Sequence, residues 1–166
     1  MVLSLQEIVL RLLVATVLTG LIGVEREIRQ KPAGVRTNAL IGLGSAAMTL
    51  CGIYAVLLWP AGGGAVDRIA STIIQGVGFL GAGAIIQASG SVHGLTTAAT
   101  MWVVAGIGIA AGFGFYSIAI VTTFIVLVLL VLFGQLDARL MGDEAEQMRR
   151  GVIKRMFVRK EKNLPR

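Results

Sequence analysis

Residues 76–81, GVGFLG, match the G-x-G-x-x-G spacing with which a glycine-rich turn cradles a dinucleotide pyrophosphate. That chemistry also needs a βαβ unit around the glycines and an acidic side chain about 20 residues on to hold the ribose. Nothing acidic follows before Asp137, so the fingerprint fails on its context. A Walker-type G-x-x-x-x-G-K-[ST] loop does not occur either. The chain has one cysteine, Cys51, and one histidine, His93, which excludes an intramolecular disulfide and a Cys/His metal site. His93 has no acidic neighbour in the sequence to orient it, so no catalytic constellation forms around it. These residues predict no enzyme, no cofactor and no resident metal. The charged residues that remain are Glu7 and Arg11, a dense group from Glu25 to Arg36, the Asp67-Arg68 pair, and a basic C-terminus.

The elements that must carry these residues follow from where charge is missing. Only 14% of the 166 residues are charged, against roughly 25% in a soluble domain. No Asp, Glu, Lys or Arg interrupts residues 37–66, and none interrupts the 68 residues 69–136. The longer run would reach about 100 Å as one straight helix and must therefore cross a bilayer about three times. The expected fold is an all-α integral membrane protein with five transmembrane helices near 5–24, 39–59, 69–88, 95–113 and 115–133. Pro60 and Gly62 to Gly64 break the chain between the second and third spans, and Gly112-Phe113-Gly114 makes a tight turn between the last two. Glu7 precedes any basic residue and no A-x-A site follows, so the first span is not read as a cleavable signal. A membrane domain at 1–134 and a basic tail at 135–166 complete the organisation.

Basic loops stay cytoplasmic. Arg26, Arg29, Lys31 and Arg36 follow the first span. Arg139, Arg149, Arg150, Lys154, Arg155, Arg159, Lys160, Lys162 and Arg166 follow the fifth. Five spans put both groups on one side and leave Arg68 on the other, which predicts an external N-terminus and a cytoplasmic C-terminus. In the tail, Met148, Val152 and Met156 recur every four residues beside Ile153 and Phe157, with basic residues between. Arg149, Arg150, Lys154, Arg155, Arg159 and Lys160 would then lay an amphipathic helix on anionic lipid, with binding of a partner protein as the competing use. The net charge of +6 rests largely on this tail and the first turn, so it does not imply nucleic-acid binding.

Gly20-x-x-Gly23 with Gly34, Thr37 and Ala39 is repeated as Gly78-x-x-Gly81 with Gly94, Thr97 and Ala99. Each copy ends a span, makes a cytoplasmic turn and opens the next span, which suggests a parallel repeat of two hairpins. Chance similarity in Gly/Ala-rich sequence is the competing explanation. In lipid, helices associate through small residues and interhelical hydrogen bonds. Gly108 and Gly112 form a G-x-x-x-G pair, and Gly106, Ala110 and Gly114 share that spacing. Gly78 and Ala82 lie one turn apart on the third span, so the glycines of 76–83 are expected to bring the third and fourth helices together. Thr96 and Thr100 share a face of the fourth. Their hydroxyls either bond back to their own helix or line a polar cavity.

Three ordered blocks, GLIGVEREIRQKPAGVRTNALIGLGSA, DRIASTIIQGVGFLGAGAII and GLTTAATMWVVAGIGIAAG, resemble the membrane domain of the MgtC/SapB family. The likeness covers residues 7–133. It implies a bacterial inner-membrane protein of the same five-span topology, linked to growth in low magnesium and to survival inside phagocytes. It also implies a proposed restraint of ATP synthase within the membrane. The functional positions it carries over are Glu25, Arg26, Lys31, Pro32, Gly34, Arg36 and Thr37 in the first turn, and Asp67 and Arg68 before the third span. Gly78, Phe79, Gly81 and Gly83 within that span and Thr96, Thr97, Thr100 and Trp102 on the fourth complete the set. Asn38, Gln75 and His93 stand where the family commonly has histidine, serine and arginine. The best-known members continue into a soluble C-terminal domain, whereas here some 30 residues follow the fifth span.

Two pairings are expected. Glu25 or Arg26, abutting the apolar run, should pair with another turn or helix end. Arg11, two turns inside the first span, should either pair with Asp67 across helices or rest on Glu7, its i−4 neighbour. The expected partners are the lipid bilayer and another membrane protein, for which the resemblance implies ATP synthase, with a homo-oligomer as a further reading. The leading function is a membrane regulator acting by helix–helix contact. The alternative is a small Mg²⁺ or H⁺ transporter or channel. Magnesium sites normally take one or two carboxylates, but Glu7, Glu25 and Asp67 all lie near the membrane edges.

Overall fold

The computed structural model describes residues 3–58, 65–88 and 91–134, apart from the side chains of 65–67, 86–88 and 91. The chain divides into two compact units, 1–127 and 128–166. Of the second, only 128–134, the end of the last helix, is described.

Helix α1 runs Leu5–Ile28, with Ser4 as its N-cap accepting from the Glu7 N–H at 3.2 Å. Ser4 and Glu7 are the S-x-x-E pattern of a capping box. The helix continues past the expected boundary at 24, because Glu25 and Arg26 find partners on it and need not leave for water. It ends in a Schellman motif: Gln30 N–H donates to Glu27 O, and Lys31 N–H to Arg26 O. Gln30 takes φ +54°, a conformation that usually calls for glycine, and Pro32 follows to prevent continuation.

Helix α2, Val35–Leu58, returns antiparallel to α1, and α3 spans Ala65–Ala84. A two-stranded antiparallel hairpin follows, β1 Ile86–Ala88 pairing β2 Ser91–His93 with Gln87 opposite Val92. The expected third span therefore stops four residues early, and its last residues are strand. Helix α4 is Leu95–Phe113 and α5 is Tyr116–Gly134. Gly94, at φ +90°, starts α4 beside the end of α3. A Cβ there would collide with the Ala84 carbonyl oxygen, so only glycine allows the chain to turn at this point. Gly114, at φ +82°, closes α4 with a second Schellman motif through Ala111 O and Phe115 N–H to Ala110 O.

Helices α1, α2, α4 and α5 are long and apolar enough to cross a membrane. Helix α3 has the length but carries Asp67, Arg68, Ser71, Thr72 and Gln75, and is not among those four. The fold is that of an all-α membrane protein.

In unit 1, α1 packs on α2 and α4, and α2 and α3 pack on each other and on α4. Helix α4 is the most enclosed of the four apolar helices. The core joins Ala15, Thr19 and Ile22 of α1 to Ile41, Ala46 and Thr49 of α2 and to Val104, Ile107 and Ala111 of α4. A small-residue seam holds it. A Cβ at Gly108 would lie 2.5 Å from Gly42 O, and one at Gly112 would lie 2.9 Å from Ala46 O. At Gly23 a Cβ would lie 2.5 Å from the Val35 Cα. Backbones therefore touch, as expected where lipid supplies no hydrophobic force between helices.

Candidate functional site

The charged residues gather at the two ends of the bundle. At the α1–α2 end, Glu25 and Arg26 are buried, 8% and 4% exposed. Arg26 Nε donates to Glu25 Oε2 at 2.6 Å and Nη2 to Oε1 at 2.9 Å. Arg29 Nε reaches Glu25 Oε1 at 2.7 Å from one turn further on. Glu25 thus answers two guanidiniums. The expected pairing to another turn or helix end is corrected here: the partners of Glu25 are one and four residues along the same helix. The physical reason is the extension of α1, which keeps the i+4 geometry intact through Arg29.

Glu27 ties the turn together. Its Oε2 accepts the Val35 N–H at 3.1 Å, so a carboxylate from the end of α1 caps the start of α2. Gly34 lies against that carboxylate; a Cβ there would sit 2.8 Å from Glu27 Oε2. Asn38 is fully buried, and its amide donates to Ala33 O at 2.5 Å and Gly34 O at 3.0 Å. Its Oδ1 has no hydrogen-bond partner among the described residues. Among the family positions in this turn, Lys31, Pro32 and Arg36 are exposed and Thr37 is half-buried.

At the opposite end, Arg11 Nε donates to Glu7 Oε1 at 3.0 Å, and Arg11 Nη1 donates to Gly112 O at 2.9 Å. Tyr116 OH donates to the same Glu7 oxygen at 3.1 Å. The Glu7 reading of Arg11 is the one observed, and the Asp67 side chain lies outside the described residues. Tyr116 was not singled out in the sequence; nothing local marks a contact 109 residues from Glu7. Tyr54 OH also closes this end by donating to Leu3 O at 3.0 Å.

The third- and fourth-helix positions do not form one cluster. Gly81 is buried against Ala98; a Cβ at this position would lie 3.5 Å from the Ala98 Cβ. Gly76, Gly78 and Gly83 are exposed, with nothing within 4 Å of their Cβ positions. The expectation that the glycines of 76–83 draw α3 onto α4 therefore holds for Gly81 alone. On an α-helix their other positions point away from the α4 contact. Phe79 is 81% and Trp102 54% exposed, on surfaces open to lipid or a partner.

Thr97 and Thr100 are buried and Thr96 is exposed. The Thr100 hydroxyl bonds back to Thr96 O at 2.7 Å, as do Thr19 to Ala15 O, Thr49 to Ser45 O and Thr123 to Ala119 O. These hydroxyls are spent on their own helices. Thr96, Thr97 and Thr100 line no described cavity. The described groove, about 880 Å³, lies instead between α2 and α3 and is mainly apolar, with Arg68 on its wall. Among the described residues no group of three or more His, Cys, Asp or Glu could hold a metal. The tail positions Arg149, Arg150, Lys154, Arg155, Arg159 and Lys160 lie outside the described residues.

Apolar helices packed through glycine, with charge confined to the bundle ends, define the class as a multi-pass integral membrane protein. Residues 12–139 match the model of the MgtC family, and the chain belongs to that family. It is 43% identical over 139 residues to the Escherichia coli K12 protein named "Putative magnesium transporter YhiD", covering 82% of this chain and 65% of that one. It is 44% identical over 119 residues to "Protein MgtC" of Salmonella typhimurium LT2, covering 72% of this chain and 49% of that one. A Haemophilus influenzae protein is 42% identical over 123 residues, covering 71% of this chain and 52% of that one. The chain thus spans between about half and just under two thirds of the length of these relatives. No solved structure matches it.

Proposed function

We propose that this protein is an inner-membrane regulator serving magnesium homeostasis, acting by helix–helix contact with another membrane protein. Its N-terminus would face outward and its C-terminus the cytoplasm, as the loop charges require. The observation that carries the reading is the closed interior. The buried hydroxyls of Thr19, Thr49, Thr100 and Thr123 bond to carbonyls one turn back. Gly108 and Gly112 bring α4 onto the backbone of α2. Glu7, Glu25 and Glu27 are each engaged by an arginine or a backbone N–H. An ion crossing here would need ionisable groups or unspent oxygens at depth. The exposed apolar faces, including Phe79 and Trp102, suit a membrane partner. ATP synthase is the partner that the family resemblance brings forward.

The second reading, a magnesium or proton transporter, is favoured by the name of the E. coli relative. Proteoliposomes decide between the two. The purified chain alone should carry neither Mg²⁺ nor H⁺, measured with entrapped fluorescent indicators, and should lower ATP synthesis when co-reconstituted with the synthase. Ion flux from the chain alone would establish the transporter instead, and unchanged synthesis would remove the synthase as partner.

A further inference from the structure

The groove between α2 and α3 borders the packed interior, with buried Ile41 and Ser45 in its wall. It opens on the lipid-facing surface and is walled by Gly44, Met48 and Cys51 of α2 and by Arg68, Gly76 and Leu80 of α3. Gly44 and Gly76 meet nothing within 4 Å of their Cβ positions, unlike Gly108 and Gly112, which meet backbone. These two glycines make room that no described residue fills. A hollow in an apolar surface loses dispersion contacts along its lining, so it favours an occupant able to follow its shape. From Arg68 to Leu80 the wall runs about 18 Å along α3, close to one leaflet of a hydrocarbon core of about 30 Å. Arg68 stands in the first turn of α3, at the end of the groove where a headgroup would lie. It is exposed, and its guanidinium has no hydrogen-bond or ion-pair partner among the described residues. Guanidinium binds phosphate through paired N–H groups, and the start of a helix adds positive potential.

We propose that this groove holds one anionic phospholipid, its phosphate on Arg68 and an acyl chain laid along Gly44 and Gly76. The site is independent of whether the protein regulates or transports. Apolar fit alone would accept any tail; Arg68 makes the site select for negative charge.

Native mass spectrometry of the full chain in mild detergent, titrated with phosphatidylglycerol or phosphatidylcholine, tests the site. The wild type should retain one phosphatidylglycerol in preference to phosphatidylcholine. Arg68→Gln should weaken phosphatidylglycerol retention about tenfold, a loss of about 1.4 kcal/mol, and erase the preference. Gly76→Leu should fill the groove and remove both lipids, whereas Gly106→Leu, at an exposed glycine of α4, should not. Cys51 gives a second readout, because it is exposed in the groove wall and is the only thiol. Added phosphatidylglycerol should slow its reaction with N-ethylmaleimide several-fold in the wild type but not in Arg68→Gln. Wild-type retention and protection in Arg68→Gln would overturn the proposal. So would a lipid-free dimer that shields Cys51, since a second copy would then be the occupant. If Gly76→Leu fails to fold, Arg68→Gln decides alone.

Discussion

Arg11 and Gly112 are 101 residues apart in the chain, yet the Arg11 guanidinium donates to the Gly112 carbonyl at 2.9 Å. That carbonyl belongs to the last turn of α4, where helix geometry leaves oxygens without an intrahelical donor. The same guanidinium holds Glu7, which in turn accepts from Tyr116 of α5. One cation thus ties the first helix to the end of the fourth and the start of the fifth. Hydrogen bonds of a charged group are worth about 1.5–3 kcal/mol. Arg11→Met should therefore lower stability by about that amount, read as an earlier thermal unfolding transition in a fixed detergent. A double-mutant cycle between Glu7→Ala and Tyr116→Phe should show coupling of at least about 0.5 kcal/mol. Strict additivity would mean the hydroxyl contributes nothing.

Glu25 is the anion that Arg26 and Arg29 share. Glu25→Gln leaves the Arg26 guanidinium buried without its counter-charge, and breaking such a pair costs about 3–5 kcal/mol. Folded yield after detergent extraction should fall sharply. Arg36→Gln, at an exposed position of the next helix, should leave the yield near wild type. Equal yields for both variants would reject a structural role for the buried pair.

Glycines of α4 two residues apart should respond in opposite ways. Gly108→Ala forces a methyl to within 2.5 Å of Gly42 O, where neither partner is a flexible side chain. Overpacking of this kind costs about 1–3 kcal/mol. Gly106→Ala meets nothing within 4 Å and replaces the poorest ordinary helix former, so it should stabilise by about 1 kcal/mol. Unfolding midpoints of the two variants should move to opposite sides of the wild type.

Gln30 pays a steric penalty at φ +54° that Gly114 avoids in the matching motif of α4. Gln30→Gly should raise stability by up to about 1 kcal/mol, since the left-handed conformation costs a residue with a Cβ about 1–2 kcal/mol. A midpoint lower than wild type would show that the Gln30 side chain makes a contribution larger than its strain.

Much of this architecture is written in the residues themselves. Long uncharged runs leave helices in lipid as the available structure, and Gly112-Phe113-Gly114 marks the break between α4 and α5, whereas Pro60 and Gly62 to Gly64 lie outside the described residues. The Gly108-x-x-x-Gly112 spacing correctly announced a close helix contact, and Glu7 with Arg11 announced an i,i+4 pair. The family was legible from three ordered blocks spread over α1 to α4.

Other decisions belong to the tertiary structure, because they depend on which face of each helix turns inward. Four glycines lie at 76, 78, 81 and 83, but helical rotation sends Gly81 to Ala98, Gly76 to the groove beside α2, and Gly78 and Gly83 outward, a choice that spacing within one helix does not contain. Gly112 O, Tyr116 and Glu27 acquire their partners only when distant segments meet, since a backbone oxygen has no sequence signature and a carboxylate eight residues upstream is outside local capping range. The threonines looked able to line a cavity, yet the buried hydroxyl of Thr100, like those of Thr19, Thr49 and Thr123, bonds to a carbonyl on its own helix. The open space moved to α2 and α3, where Gly44 and Gly76 line a hollow that no described residue fills. Apolar pattern determines that the helices enter the membrane; close packing determines which of their surfaces remain for something else to bind.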